Sequence, residues 1–158
     1  MKRHLLVADS NPCTARAFEN YFTKAGYRVE TVGDGLSCVG RLRHDIPDLL
    51  LLDQGLPWGG GDGVLARLRE ETWPGRIPVI VIADMIPFHL LSRLTTPPVI
   101  RYLAKKCPLP ALRYTIDTVL ASSLERGALH AERPQAAPRP AILLSRPREA
   151  DFAELART

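Results

Sequence analysis

Asp9, Asp53 and Lys105 each close a short apolar run: Leu5-Leu6-Val7-Ala8 before Asp9, Leu49-Leu50-Leu51-Leu52 before Asp53, and Val99 to Leu103 just ahead of Lys105. Runs of this length read as strands buried on both faces. In an open parallel sheet, groups at the carboxyl ends of the strands flank one crevice. Two carboxylates held close together repel unless a cation or a proton intervenes. Asp9 and Asp53 beside a lysine therefore make a cradle for a hard metal ion and a phosphoryl group. The spacing equally allows each carboxylate to cap the helix or turn that follows it. Either way, the same sheet has to carry all three groups.

The helices that cover such a sheet are written between its strands. Ala15, Phe18, Phe22 and Ala25 recur at helical spacing, Gly26 supplies a stop, and Tyr27 to Val32 alternates like a short strand. Leu36, Val39, Gly40 and Leu42 to Arg43 mark a second helix. It closes at Ile46-Pro47, because the residue before proline avoids helical geometry. The turn-rich loop Gly55-Leu56-Pro57-Trp58-Gly59-Gly60-Gly61 leads into Val64, Leu65 and Leu68, the stripe of a third helix. Ile77 to Ile82 reads as another buried strand, and Leu90, Leu91 and Leu94 predict a short fourth helix. Leu109 to Leu124 predicts a fifth, with Leu112, Ile116, Val119 and Leu120 inward. Strands alternating with helices imply an α/β fold, (βα)5, with right-handed crossovers and parallel strands.

Composition narrows the class. A chain of 158 residues has room for one ordinary domain, and 46% hydrophobic with 24% charged residues is the balance of a soluble globular protein. The net charge of +4 permits acidic partners without requiring one. Cys13, Cys38 and Cys107 are odd in number and widely spaced. They suggest neither a disulfide framework nor a zinc site, read first as small buried apolar residues, and fit a reducing cytoplasm. The amino-terminal apolar run is cut at Asp9, too short for a signal peptide, and no stretch is long enough to span a bilayer, so no membrane role is expected. His4, His44, His89 and His130 are scattered and read as surface or satisfied residues. The glycine cluster lacks the ending of a phosphate-binding P-loop. Residues 1–125 are expected to form the domain, and 126–158 a flexible tail or linker interrupted by Pro134, Pro138, Pro140 and Pro147. The tail arginines, diluted by acids, offer only diffuse attraction to polyanions, so no nucleic-acid role is expected.

Four segments carry a family likeness: Val7-Ala8-Asp9-Ser10-Asn11-Pro12; Asp48-Leu49-Leu50-Leu51-Leu52-Asp53 with Leu56-Pro57; Ile77-Pro78-Val79-Ile80-Val81; and Tyr102-Leu103-Ala104-Lys105. In this order and spacing, from about Lys2 to Leu124, the chain resembles the receiver domain of bacterial two-component response regulators. The resemblance implies a flavodoxin-like three-layer sandwich with sheet order 2-1-3-4-5. It implies a signalling switch rather than an enzyme, which takes a phosphoryl group on Asp53 from a sensor histidine kinase or phosphotransfer protein. Asp9 matches the first of two acidic metal positions, Gly55 the position whose backbone carbonyl completes Mg²⁺ coordination, and Lys105 the lysine that pairs with the phosphate. Tyr102 matches the aromatic whose rotation reports phosphorylation. A downstream protein partner would meet the face of the fourth helix, fifth strand and fifth helix, and a homodimer through the last two helices and the fifth strand is also implied.

The departures from that pattern carry their own expectations. Ser10 stands at the second acidic position, which predicts weak or absent Mg²⁺ binding, since that ion is held chiefly by carboxylates and retained waters. Ala83 stands where a Thr or Ser hydroxyl would bond the phosphoryl oxygen and couple it to Tyr102. Lys106 replaces a proline in cis linkage; a cis bond before a non-proline residue costs about 3 kcal/mol, so a trans bond is expected. The loop Trp58 to Asp62 is longer and richer in glycine than usual. Two expectations follow, a weakly supported working receiver and a phosphorylation-independent pseudo-receiver acting as a protein-binding module.

Overall fold

The computed structural model describes residues 1–71, 73, 77–85 and 97–131, with 124–131 traced as backbone. Its elements are β1 (His4–Ala8), α1 (Pro12–Lys24), β2 (Arg28–Val32), α2 (Gly35–His44), β3 (Leu49–Asp53), α3 (Gly60–Glu70), β4 (Val79–Ala83), β5 (Val99–Ala104) and α4 (Leu109–Ala131). The strands form one parallel sheet in the order β2-β1-β3-β4-β5. This is the flavodoxin-like order that the family resemblance implied. The expected short helix over Leu90, Leu91 and Leu94 lies outside the described residues, so α4 corresponds to the fifth helix of the pattern.

Side-chain alternation along the strands separates two apolar layers. Leu6, Ala8, Leu50, Leu52, Val79 and Val81 pack on one face with Cys38 and Leu42 of α2 and Val64, Leu65 and Leu68 of α3. Leu5, Val7, Leu49, Leu51, Ile80 and Ile82 pack on the other with Phe18 and Phe22 of α1 and Leu112, Ile116, Val119 and Leu120 of α4. Because both faces are covered, the central strands are apolar over Leu5–Ala8, Leu49–Leu52 and Val79–Ala83 and carry no amphipathic signal there.

In α2 Leu36 is 77% exposed, and Gly35, Cys38 and Leu42 are the buried positions. Asp34 sets that phase by capping the helix one residue before Gly35, accepting from the Ser37 backbone N–H at 2.7 Å. Gly35 is needed there because a β-carbon would come within 2.5 Å of the Trp58 carbonyl oxygen. The last helix, expected over Leu109 to Leu124, runs on to Ala131. Past Leu124, Glu125, Arg126, Ala128, Leu129 and Ala131 are good helix formers, and the one interior glycine, Gly127, costs about 1 kcal/mol, too little to end a helix.

Candidate functional site

Strand alternation also aims the site. Asp9 lies two residues beyond Val7 and Asp53 two beyond Leu51, so both continue the rows that face α1 and α4. On β5 a register shift skips Ile100: Val79 pairs with Val99, and Ile80 with Arg101. The irregularity re-phases the strand, as a bulge does. Tyr102 then joins the α2/α3 layer, Leu103 the α1/α4 layer, and Lys105, two residues on, arrives on the side of the two aspartates. The Lys105 N–H donates to the Ala83 carbonyl at 2.8 Å, extending the ladder by one bond and fixing where that side chain departs.

The three groups meet in one pocket. Lys105 Nζ donates to Asp53 Oδ2 at 2.8 Å and lies 3.7 Å from Asp9 Oδ2. Asp9 is 3% exposed and Asp53 4%. Neither caps a helix: Asn11 caps α1, accepting from the N–H groups of Cys13 and Thr14, and α3 begins at Gly59 with no side-chain cap. Each aspartate does close a small turn on its own strand end. Asp9 Oδ1 accepts from the Asn11 N–H at 2.8 Å and Asp53 Oδ1 from the Gly55 N–H at 3.2 Å. The capping alternative thus survives only as these two turns.

Burial pushes the Asp9 carboxyl above its ordinary value; the Asn11 N–H and the Lys105 charge oppose the shift, and the Asp53 charge adds to it. For Lys105, burial alone favours loss of the proton. The hydrogen bond to Asp53 and the charges of Asp9, Asp53 and Asp84 together outweigh that, and the ammonium is held above its ordinary value. Two buried carboxylates share one ammonium, so one negative charge remains for a further cation.

The other predicted positions are placed as follows. Ser10 is exposed beside Asp9, and Gly55 is exposed in the turn against the Asp53 carboxylate. Ala83 is 3% exposed and ends β4. Tyr102 is half buried on the opposite layer and does not join the pocket; burial, then the Asp62 charge, pushes its phenol up. The cis peptide among the described residues is Pro97-Pro98, and Lys105-Lys106 is trans. Of the cysteines, only Cys38 is the buried apolar residue expected, its thiol pushed up to about 12 by burial and the Asp34 charge; Cys107 is half buried and Cys13 exposed.

The glycine loop has a structural purpose that its composition did not disclose. Trp58, Gly59 and Gly60 all have positive φ, at 58°, 95° and 65°, so the chain turns sharply after β3 with the indole left 81% exposed. Gly61 then passes against the strand end: a β-carbon would lie 3.0 Å from Gln54 Cα and 3.1 Å from the Asp53 carbonyl oxygen. Gln54 Nε2 donates to Asp62 Oδ1 at 3.2 Å, tying the loop to the residue after Asp53. Gln54, Gly61 and Asp62 are supporting residues that the sequence reading missed. The glycine run was the available signal, but its close approach to Asp53 exists only in three dimensions.

The family model of the response regulator receiver domain matches residues 5–117. The chain belongs to that family. Receiver domains are signalling switches of two-component systems, and this one shares 32% identity over 85 residues with the response regulator PleD of Caulobacter vibrioides, covering 54% of this chain and 19% of PleD. This receiver domain therefore spans about a fifth of that relative's length. Among solved structures, a receiver domain protein from Methanospirillum hungatei superimposes with a TM-score of 0.72 at 18% identity, over 80% of this chain and 100% of that one. The response regulator TrrA of Thermotoga maritima, solved in complex with Mg²⁺ and BeF, gives 0.63 at 20% identity, over 73% and 97%. These two likenesses concern the fold. No helix among the described residues is long and apolar enough to cross a membrane.

Proposed function

We propose that this receiver domain accepts a phosphoryl group on Asp53 from a sensor histidine kinase or phosphotransfer protein, in the cytoplasm. The observation that carries the reading is the convergence of two buried carboxylates on one ammonium, with Lys105 Nζ 2.8 Å from Asp53 and 3.7 Å from Asp9. Phosphoryl transfer asks mainly for positioning and charge neutralisation, and a carboxylate is a competent nucleophile toward phosphorus. The Asp53 carboxylate attacks, the new O–P bond forming as the P–N bond to the donor imidazole breaks and its electron pair leaves with nitrogen. Lys105, restrained from its other side by Asp9, presents its N–H groups where charge develops on the phosphoryl oxygens. The Gly55 N–H keeps the carboxylate oriented through its Oδ1.

The uncompensated negative charge of the pocket fits a hard divalent cation. Asp9, Asp53 and the Gly55 carbonyl would hold Mg²⁺. Such an ion supplies further charge neutralisation on the transferring group. Ser10 leaves the donor set one carboxylate short, so this holding is weak. At Ala83 the phosphoryl group finds no hydroxyl, and Tyr102 faces the other layer, so transfer is coupled poorly to Tyr102. The face formed by β5 and α4 carries the downstream partner and any homodimer. Ala83 also favours a second reading, a pseudo-receiver whose partner recognises a surface that phosphorylation leaves unchanged.

The deciding experiment is incubation with acetyl phosphate and Mg²⁺, read by intact-mass and peptide mass spectrometry with Asp53→Asn as control. Phosphate on Asp53, absent in the variant, is expected. No phosphate, together with no effect of beryllofluoride on the resonances of Asp53, Ala83 and Tyr102, would leave the pseudo-receiver as the function.

A further inference from the structure

His4 opens β1, at the end of the strand away from Asp9. It is 6% exposed, and neither ring nitrogen has a hydrogen-bond partner. A buried imidazole with both nitrogens unsatisfied is costly, and native interiors rarely tolerate one. Its ring lies between two carboxylates: Nε2 is 3.7 Å from Glu30 Oε1 on β2, and Nδ1 is 4.0 Å from Asp45 Oδ2 beyond α2. Both distances are too long for hydrogen bonds. One ring nitrogen and one oxygen from each carboxylate lie within 4.8 Å of one another.

We propose that His4, Glu30 and Asp45 form a second cation site, selective for a divalent transition-metal ion of the zinc class and separate from the Asp9/Asp53 pocket. An imidazole nitrogen with two carboxylate oxygens is a three-ligand set of the kind zinc accepts, with water completing a tetrahedron, whereas Mg²⁺ prefers oxygen donors throughout. A tetrahedral ion with bonds of about 2.0–2.1 Å sets its ligands roughly 3.4 Å apart, so the three donors need to close by no more than about 1.4 Å. What stands in the way is Arg28. Its guanidinium bridges the same two carboxylates, reaching Asp45 Oδ2 at 2.6 Å and also Glu30 Oε1. Arg28 is half exposed, so it can swing into solvent, while Arg41 holds Glu30 through the other oxygen, Oε2, at 3.2 Å. The guanidinium and the metal ion are thus competitors for one pair of carboxylates, and the metal alone also satisfies the histidine.

That competition fixes the sign of the test. Titrating the full chain with Co²⁺ should give visible ligand-field absorption at one equivalent and paramagnetic shifts of the His4 ring resonances, both displaced by Zn²⁺. His4→Gln and Glu30→Gln should each weaken the affinity at least tenfold, the second serving if the first fails to fold. Arg28→Ala should tighten it several-fold, and Cys13→Ser with Cys107→Ser should leave it unchanged. Binding that survives His4→Gln but is lost in Asp9→Asn or in the cysteine variants would place the ion elsewhere and overturn the proposal. So would an absence of binding at millimolar Co²⁺, or an affinity indifferent to Arg28→Ala.

Discussion

Replacing Lys105 by Met keeps most of the aliphatic stem and removes the ammonium that two buried carboxylates share. Lys105 Nζ sits 2.8 Å from Asp53 and 3.7 Å from Asp9, and neither aspartate is more than 4% exposed. Without the ammonium both cannot stay ionised, and one takes up a proton. That uptake sets a ceiling on the cost. Protonating a carboxyl of ordinary value 3.8 at pH 7 requires about 4 kcal/mol, at about 1.4 kcal/mol per pH unit. Breaking a buried pair by removing one partner typically costs about 3–5 kcal/mol, and the partial exposure of Lys105, 19%, lets water relieve some of it. A loss of about 2–4 kcal/mol at pH 7 is expected. At pH 5 the ceiling falls to about 1.6 kcal/mol, so most of the penalty should vanish.

The sign follows from proton linkage. Burial already raises the Asp9 carboxyl, and Lys105 is one of the groups opposing that rise. A carboxyl raised in the folded state leaves the folded protein holding more protons than the unfolded one, so stability falls as pH climbs from 3.8 through the folded value. Lys105→Met deepens that fall and removes a second dependence. The wild-type Lys105, raised above 10.5, contributes stability that is complete below 10.5 and lost as pH rises through its folded value. Urea unfolding of both proteins at pH 5 and pH 7, followed by far-UV circular dichroism, measures the difference. Equal destabilisation at the two pH values, or less than about 1 kcal/mol at pH 7, would refute a buried charge cluster held by Lys105.

Three further outcomes are expected. Ser10→Asp supplies the missing carboxylate next to Asp9 and should tighten Mg²⁺ binding about tenfold, read from the fluorescence of the exposed Trp58 on the site loop; an unchanged titration would assign the weakness to the glycine loop. Gly61→Ala drives a methyl group to within 3.0 Å of Gln54 Cα and 3.1 Å of the Asp53 carbonyl oxygen, and should cost about 1–3 kcal/mol in urea unfolding and slow phosphorylation of Asp53. Phe22→Ala empties a fully buried site whose ring meets Tyr21 edge-on at 5.2 Å and Tyr27 at 5.9 Å; a loss of about 3–5 kcal/mol is expected by the same unfolding measurement, with the phosphorylation rate of the folded fraction unchanged.

Legibility followed the range of the interactions involved. The strands were readable because burial on both faces leaves unbroken apolar runs such as Leu49 to Leu52, and Asp9 and Asp53 were readable because each is the first charge after such a run. α2 was legible from Leu36, Val39 and Leu42, but which of them is buried is set by the Asp34 cap and the close approach of the Trp58 carbonyl to Gly35. Tyr102 and Lys105 were both legible as residues, and their spacing of three puts them on opposite faces, yet which face each takes came from a register irregularity near Val79 and Ile80 that has no local sequence mark.

Residue order alone established the alternation of strands and helices, the family likeness, and the three charged positions at strand ends, because each depends on contacts within one element or on spacing along the chain. Folding decided what those positions became. Only the packed sheet brings Lys105 to 2.8 Å from a carboxylate 52 residues away, crowds Gly61 against the Asp53 backbone, and leaves His4 buried with both nitrogens unpaired between Glu30 and Asp45. Each of these is a distance between distant parts of the chain, and burial turns that distance into energy.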